Sequence, residues 1–275
     1  MIPKKIAFFW SGGPLSWLRY MTLKTFCAFN PTWEIHLYLS ASSHQKETWG
    51  TPETQDFINY SGMDWMPEVQ RNLPVKTYRI ELPPTLDPVH QCDMFQWWWL
   101  GYQGGWYSDL DILYLQPMDK LVEDSGNSDM VFSLPCGDFT IGFLGSNQEN
   151  KFYQTLYSLC HQWEKARLSL NYYQSFGTQL VKQLTQRNRG AEITNKIAQD
   201  YEYSCYVTNK NEDVYPWNWR GINKIWNESH EFPNTQLGIH WYAGARISQD
   251  MNSKLTPDNF TKYPCTFTDY LATVI

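Results

Sequence analysis

Apolar positions in the first part of the chain alternate between a strand-like and a helix-like period. The run KIAFFW is apolar after its lysine and meets Gly12-Gly13-Pro14, which predicts a buried strand followed by a loop. The next apolar positions have helical spacing until Asn30-Pro31, where a helix would end. The strands predicted here are 5–10, 33–39 and 75–82, and the predicted helices are 16–29, 89–102 and two short ones within 51–72.

The same alternation continues through the rest of the chain. The predicted strands are 129–134, 140–144, 204–208 and 237–242, and the predicted helices are 151–170 and 177–186. Strands that alternate with helices favour crossover connections and therefore a mostly parallel sheet. Because no internal repeat or low-complexity linker interrupts the pattern, we expect an α/β fold in a single domain over 1–275, with helices flanking a central sheet.

The stretch GGWYSDLDILYL, residues 104–115, carries two charges in an otherwise strand-like run. On an extended backbone Asp109 and Asp111 project to one side, and two close carboxylates repel unless a cation lies between them. Mg²⁺ and Mn²⁺ accept such ligands and leave positions for phosphate and water. We expect a metal site here; a bare D-x-D pair can equally cap a turn and face solvent. Both residues are expected at the start of their strand, away from the carboxyl edge where ligands usually bind.

Composition narrows the classes of ligand. The net charge of −6 argues against nucleic-acid binding, which depends on Lys and Arg. A diphosphate could still bind through a metal ion. Aromatic residues make up 17% of the chain, and the 14 Trp can fill a core or line a sugar-binding surface.

Other features concern the cellular compartment. The six cysteines are scattered without a CxxC pair, which favours free thiols over a zinc site. No apolar run is long enough to span a bilayer, and the opening residues are better interpreted as a strand than as a signal peptide. We expect a cytoplasmic enzyme of a bacterium or virus, although a truncated luminal enzyme would look the same. Sequons at Asn59, Asn227 and Asn259 do not alter this expectation.

The segment CDMFQWWWLGYQGGWYSDLDILYL resembles the donor-binding region of a DxD-containing glycosyltransferase family. That family includes yeast-type initiating mannosyltransferases, capsular polysaccharide glycosyltransferases and, more distantly, the large clostridial glucosylating toxins. Its pattern is Asp-x-x-Arg, three residues, then Leu-Tyr-x-x-Gly-Gly-x-Tyr-x-Asp-x-Asp. The residues in register are Asp93, Leu100, Gly104, Gly105, Tyr107, Asp109 and Asp111. The opening IPKKIAFFWSGGP is similar to the family's first strand.

The resemblance implies a GT-A fold in which 1–115 binds a nucleotide sugar and 116–275 faces the acceptor. By this resemblance the donor-binding residues are Phe9, Trp10, Asp93, Gln96, Gly105 and Tyr107, and the metal ligands are Asp109, Asp111 and His240, the two aspartates being catalytic. His240 lies in GIHWYAGAR, which is similar to a late His-containing block of the family. Gln96 departs from the family, because a neutral amide stands where the family has a cationic arginine.

Weaker candidates keep two interpretations open. His240 is either a metal ligand or a hydrogen-bonded core residue. The turn at 175–178 is similar to a family turn near the acceptor, and it equally fits a helix cap. Asp138 either reaches the acceptor or forms a turn. The tryptophans that either stack on sugar or pack in the core are Trp217, Trp219 and Trp226.

Together with the D-x-D pair, the resemblance implies transfer of a hexosyl group from a UDP- or GDP-linked donor to a glycan or other hydroxyl acceptor, with Mn²⁺ or Mg²⁺ and with retention. Polysaccharide biosynthesis is the expected setting. The alternative is a non-catalytic carbohydrate-binding module with a Trp-rich surface. A metal-dependent phosphoesterase is disfavoured, since it would need more metal ligands than one D-x-D pair and one histidine.

Overall fold

The structure is a computed structural model that describes residues 1–11, 13–41, 59–165, 170, 172–209 and 213–275. Its centre is a seven-stranded sheet, beside which a two-stranded sheet forms. The strands are β1 (Lys5–Trp10), β2 (Glu34–Ser40), β3 (Lys76–Ile80), β4 (Gly105–Ser108), β5 (Ile112–Tyr114), β6 (Met130–Phe132), β7 (Phe143–Ser146), β8 (Cys205–Val207) and β9 (Gly238–His240).

Helices connect and cover these strands. They are α1 (Trp17–Phe29), α2 (Met66–Asn72), α3 (Pro88–Trp98), α4 (Asp119–Ser125), α5 (Lys151–Lys165), α6 (Thr178–Thr185), α7 (Gly190–Tyr201), α8 (Ile222–Trp226), α9 (Arg246–Lys254) and α10 (Thr266–Val274). A π-helical turn, Trp99–Gln103, extends α3 toward β4. None of the helices in the described part of the chain has the length and apolar character that a membrane span needs.

The order of strands in the large sheet is β3-β2-β1-β4-β7-β6-β8. The first four run parallel to one another, as do β6 and β8, whereas β7 is antiparallel to β4 and β6. The predicted α/β fold, with a mostly parallel central sheet flanked by helices, is confirmed. The predicted division into a donor half and an acceptor half stays a prediction.

Both faces of the large sheet are buried at its centre. Along β1, Phe8 and Trp10 join the core cluster that includes α1, while Ala7 and Phe9 join the cluster that includes α3. A central parallel strand covered on both faces is apolar at every position, which explains the uninterrupted run KIAFFW.

The D-x-D segment differs from its prediction. GGWYSDLDILYL forms two strands, β4 and β5, and residues 109–111 connect them. The run divides because β4 pairs in the large sheet with β1 and β7, whereas β5 pairs with β9 in the small one. Asp109 therefore follows the carboxyl end of β4, and its expected position at the start of a strand is wrong. Because β4 is parallel to β1, the segment lies beside Trp10, at the edge where ligands of α/β sheets usually bind.

Several predicted boundaries also shift. The strand predicted at 140–144 lies at Phe143–Ser146, because the residues before it pass beside Asp109, whose N–H donates to Gly142 O at 2.8 Å. The helix predicted at 151–170 is observed to Lys165, and residues 166–169 and 51–58 lie outside the described residues. The helices α4, α7, α8, α9 and α10 were not predicted. The sequence TFTDYLATV of α10 shows why: it contains Thr and Val, which have modest helix propensity, and packing of its buried face stabilises the helix.

Candidate active site

A cleft of about 170 Å³ opens beside the carboxyl ends of β1 and β4. Seven of the residues predicted to bind donor or metal line it, namely Phe9, Trp10, Asp93, Gln96, Tyr107, Asp109 and Asp111. They come from three separate stretches of sequence, which the parallel pairing of β1 with β4 and the packing of α3 bring together.

Three contacts fix the backbone of the D-x-D segment. Asp109 N–H donates to Gly142 O at 2.8 Å, and Trp241 N–H donates to Asp111 O at 2.9 Å. Between them, the Thr22 hydroxyl donates to Leu110 O at 3.1 Å. The residues before β7, those after β9, and α1 thus each hold one residue of the segment, so the two carboxylates need no strand to keep them together.

His240 joins the two aspartates from the small sheet. The pairing of β5 with β9 sets His240 opposite Ile112, one residue after Asp111. Its Nε2 lies 3.1 Å from Asp111 Oδ1 and 3.9 Å from Asp109 Oδ2. Ligand atoms of the three residues lie within 4.8 Å of one another, so they could hold one metal ion. The ring is 7% exposed and lies outside the lining of the cleft.

Without metal, Asp111 and His240 stabilise each other's charge. Burial alone would lower the pKa of His240, but the adjacent Asp111 and Asp109 carboxylates raise it to about 9. Burial would raise the pKa of Asp111, yet the imidazolium, the positive charge of Arg19 and the N–H of Ala243 lower it. That N–H donates to Asp111 Oδ2 at 2.7 Å. The site therefore favours an ionised Asp111, the form that binds a metal.

The geometry fits a divalent cation. Asp111 Oδ1 is buried, and His240 Nε2 at 3.1 Å is a partner that would become a fellow ligand once a cation binds. A Cβ on Gly142 would collide with Asp109 Oδ2 and lie 2.7 Å from the Tyr215 hydroxyl, so the glycine keeps space for that carboxylate. Two carboxylates with open positions are a typical protein contribution to a Mg²⁺ or Mn²⁺ site.

A chain of hydrogen bonds orients Asp109. The Tyr107 hydroxyl donates to Asp109 Oδ1 at 2.8 Å, and Cys92 Sγ lies 3.0 Å from the same hydroxyl. Since the Tyr107 hydroxyl uses its proton in the bond to Asp109, the thiol is the donor in the second bond. Burial and the negative charge of Asp109 raise the pKa of the Cys92 thiol, which keeps that proton in place. Asp109 is the more open of the two aspartates, with 35% of its side chain exposed.

Asp93 and Gln96, three residues apart, share one face of α3 and both line the cleft. Asp93 is 6% exposed, and its Oδ2 makes no hydrogen bond with the described residues. Burial, reinforced by the negative charge of Asp109, raises the pKa of Asp93 well above its usual range. Gln96 donates its amide N–H to Ile141 O at 2.5 Å. Where the family has an arginine, this chain therefore has an uncharged side chain fixed to the backbone.

Phe9 and Trp10 form the β1 side of the cleft. Each is 5% exposed, so each offers the cleft only a small part of its surface. Phe9 stacks on Phe95 of α3 with ring centroids 5.0 Å apart. Trp10 Nε1 donates to Gly13 O at 3.0 Å. Both residues line the cleft, and their contact with a nucleotide stays a prediction.

Gly105 lies elsewhere. It begins β4 with φ +94°, and a Cβ there would approach Lys5 O to 2.7 Å. This conformation and close approach give Gly105 a role in packing β4 against β1. It is not among the residues that line the cleft, and its contact with a donor stays a prediction.

The weaker candidates separate in the structure. Thr178, at the start of α6, lines the cleft. Asp138 is exposed, and it lies outside the cleft lining. Trp226 is a core residue, 4% exposed and packed on Phe267, whereas Trp217 is half-buried and Trp219 is 62% exposed.

Arg19 and Tyr215 are among the site residues that were missed from sequence. Arg19, on α1, lines the cleft and is 4% exposed. Tyr215 packs its ring on His240 with centroids 4.7 Å apart. Neither residue had a signal in the sequence, because only the fold brings Arg19 to the cleft and Tyr215 to His240.

No protein-family model and no curated protein sequence matches the chain. Among solved structures it is similar to the PaToxG glycosyltransferase, with 16% identity and a TM-score of 0.43, over 73% of this chain and 75% of that one. It is similar to the galactosyltransferase LgtC, solved with donor and acceptor sugar analogues, with 12% identity and a TM-score of 0.40, over 94% and 100%. The glycosyltransferase GlyE of Streptococcus pneumoniae gives 11% identity and a TM-score of 0.47, over 99% and 64%.

All three structures are named as glycosyltransferases. At these identities and TM-scores, the activity of this chain has to be argued from its own residues. The narrower resemblance to yeast-type mannosyltransferases and capsular polysaccharide enzymes stays a prediction.

Proposed function

We propose that this protein is a metal-dependent glycosyltransferase with a GT-A-like site, which moves a hexosyl group from a nucleotide sugar to a hydroxyl of a glycan or other acceptor. The observation that carries the proposal is the convergence of Asp109, Asp111 and His240, two of which line the same cleft as Asp93 and Gln96. The motif resemblance supports it, since four of these five are residues for which the motif implies metal or donor contacts and Gln96 occupies the position of its arginine.

Each residue would have a distinct task. Asp109, Asp111 and His240 would hold Mn²⁺ or Mg²⁺, and the bound cation would neutralise charge on the diphosphate as it leaves. Tyr107 orients the Asp109 carboxylate. Asp93, with its free oxygen, would bind a hydroxyl of the donor sugar.

The proposed reaction is a simple substitution at the anomeric carbon. The bond from that carbon to the phosphate oxygen breaks, a bond to the acceptor oxygen forms, and the acceptor proton passes to the departing phosphate. Retention of configuration follows the resemblance. The donor would carry UDP or GDP, which the titrations below distinguish.

The test is calorimetric titration with UDP- and GDP-sugars, with and without Mn²⁺. We expect metal-dependent binding of one nucleotide class, accompanied by a rise in melting temperature, because a ligand that binds the folded state stabilises it. Affinity for glycans without either metal or nucleotide would instead support the carbohydrate-binding module.

The matched variants are Asp111→Asn and Asp119→Asn. Asp119, at the start of α4, is exposed, and its Oδ1 lies 2.6 Å from Lys4 Nζ. Its amide variant is therefore the control for loss of one carboxylate. Asp111→Asn should lower transfer and donor hydrolysis at least about 100-fold, since loss of outer-shell partners alone typically costs 10–100-fold at metal sites. Full activity in Asp111→Asn would refute the metal assignment.

A further inference from the structure

We propose that Arg19 binds the diphosphate of the donor directly, as a cation built into the cleft beside the metal site. This inference rests on the proposed function. It adds a phosphate-binding residue from α1, outside the segments that carry the motif resemblance.

One face of α1 carries the D-x-D segment. The hydroxyl of Thr22 donates to Leu110 O at 3.1 Å, and the hydroxyl of Thr25 accepts the N–H of Tyr114 at 3.2 Å. Arg19 lies three residues before Thr22 on the same face, which places it one turn nearer the cleft. Its effect on Asp111, whose pKa the Arg19 charge lowers, agrees with that placement.

The guanidinium is held by aromatic rings. Its carbon lies 4.8 Å from the ring centroid of Trp10 and 5.6 Å from that of Trp241. Arg19 is 4% exposed and still lines the cleft. A cation buried between rings loses little further freedom when a ligand binds, so its position favours strong contact with an anion.

The charges of the metal ion, its ligands and the donor indicate why a cation is useful at this position. The carboxylates of Asp109 and Asp111 offset the charge of one divalent ion, so a loaded site would be neutral before the donor arrives. A nucleotide sugar adds one negative charge on each of two phosphate groups. Arg19 is the only lysine or arginine among the described residues that line the cleft, and its charge would offset part of that negative charge.

The chemistry of the side chain also suits the role. A guanidinium stays protonated at every physiological pH and presents N–H groups in a planar fork that matches phosphate oxygens. Arg19 can therefore bind a diphosphate when no metal ion is present. Its contribution can be measured as a binding affinity, without measuring the activity of the metal-loaded enzyme.

The experiment compares a nucleoside diphosphate with its nucleoside, without metal. UDP with uridine and GDP with guanosine are titrated into wild type, Arg19→Gln, Arg19→Lys and the control Arg71→Gln by ligand-observed NMR and calorimetry. Arg71 is an exposed arginine paired with Glu68 on α2. In Arg19→Gln we expect diphosphate affinity to fall by roughly 10- to 100-fold, as for loss of a charge-assisted hydrogen bond, with nucleoside affinity unchanged. Arg19→Lys should lose less, and Arg71→Gln nothing.

The outcomes separate this inference from the proposed function. Equal losses for diphosphate and nucleoside would mean that Arg19 only supports the packing of Trp10, which overturns the inference. Unchanged diphosphate affinity in Arg19→Gln overturns it as well, while leaving a glycosyltransferase intact. Failure of wild type to bind either diphosphate, even with Mn²⁺, refutes the proposed function and this inference with it. If Arg19→Gln does not fold, Arg19→Lys decides. A loss of affinity for the diphosphate but not for the nucleoside supports the inference, and no loss for either overturns it.

Discussion

Two buried aspartates, one in the cleft and one behind the small sheet, have opposite surroundings. Asp213 is 3% exposed and accepts hydrogen bonds from the hydroxyls of Ser133 and Thr208, each at 2.8 Å, and from Val214 N–H at 2.6 Å. Asp93 is 6% exposed, and its Oδ2 makes no bond with the described residues. Burial raises the pKa of both, to about 6 for Asp213 and well above the usual range for Asp93.

The difference in hydrogen bonding indicates that Asp213 has a structural role and that Asp93 is available to a ligand. Ser133 and Thr208 follow β6 and β8, and the backbone after Asp213 pairs with β9, where His240 N–H donates to Val214 O at 2.7 Å. Asp213 thus fastens three strands together and has no oxygen left for a ligand. Asp93 fastens nothing through Oδ2 and faces the cleft. A raised pKa marks both carboxyls, and the state of their hydrogen bonds decides which one is available to substrate.

Removal of the Asp213 carboxyl should give the largest effect on folding. Asp213→Ala leaves Ser133, Thr208 and Val214 N–H buried without their acceptor, and each unsatisfied group costs about 1–3 kcal/mol. We expect the free energy of unfolding to fall by about 3–5 kcal/mol in urea denaturation. The exposed Asp138→Ala is the control and should lie within about 0.5 kcal/mol of wild type. Equal stabilities of the two variants would contradict a structural role for Asp213.

The same carboxyl should make stability depend on pH. Its folded pKa of about 6 exceeds the unfolded value near 3.8, so between these values the native state binds more protons than the unfolded chain. Its contribution to stability is therefore full below about pH 4 and is lost as pH rises toward about 6, by up to about 3 kcal/mol. The stability of wild type minus that of Asp213→Asn, measured from pH 4 to 7, should decrease over this window. A constant difference would show that Asp213 does not titrate there.

Asp93→Asn should reverse the pattern seen at Asp213. Burial favours the neutral form of Asp93, and its ionised form costs stability as pH rises above the unfolded value, so an isosteric amide should leave stability at pH 7 unchanged or higher. Affinity for the sugar nucleotide should fall roughly 10-fold relative to the nucleotide alone, as expected when one hydrogen bond to a buried group is lost. Calorimetry with both ligands measures this ratio. A large loss of stability would place Asp93 with Asp213 among the structural carboxyls.

The sequence indicated the carboxyl that we propose binds the donor and gave no sign of the structural one, for a physical reason. Asp93, Asp109 and Asp111 lie in a compact segment whose glycines and aromatic residues carry local information. Asp213 is defined by partners some 80 residues away in sequence, such as Ser133, which no local pattern reveals.

Distance along the chain explains the other errors as well. The apolar run after Gly105 reads as one strand because the partner of its second part, β9, comes much later in the sequence. Arg19 was missed because an isolated arginine in a helix usually faces solvent, and Trp241, one of the two tryptophans beside its guanidinium, belongs to a distant segment. The predicted α/β class survived these errors, since it depends on the order of elements rather than on their edges.

The hydrogen bonding of Asp109 is intermediate between that of Asp213 and that of Asp93. Loss of its one hydrogen bond should give the smallest effect of the changes considered. Its Oδ1 accepts from the Tyr107 hydroxyl at 2.8 Å, whereas its Oδ2 points toward His240. Tyr107→Phe removes one orienting hydrogen bond worth about 1 kcal/mol, so affinity for Mn²⁺ and donor should fall by roughly 5-fold.

The control for this change is Tyr114→Phe, on the neighbouring strand β5. The Tyr114 hydroxyl donates to Ser108 Oγ, also at 2.8 Å, and not to a metal ligand. Both phenylalanine variants should lose similar stability in urea denaturation, but only Tyr107→Phe should weaken Mn²⁺ binding in calorimetry. If both variants weaken Mn²⁺ binding equally, the hydroxyl of Tyr107 acts through the packing of β4 and β5 and not through Asp109. The orientation of the Asp109 carboxylate would then be set by its backbone alone.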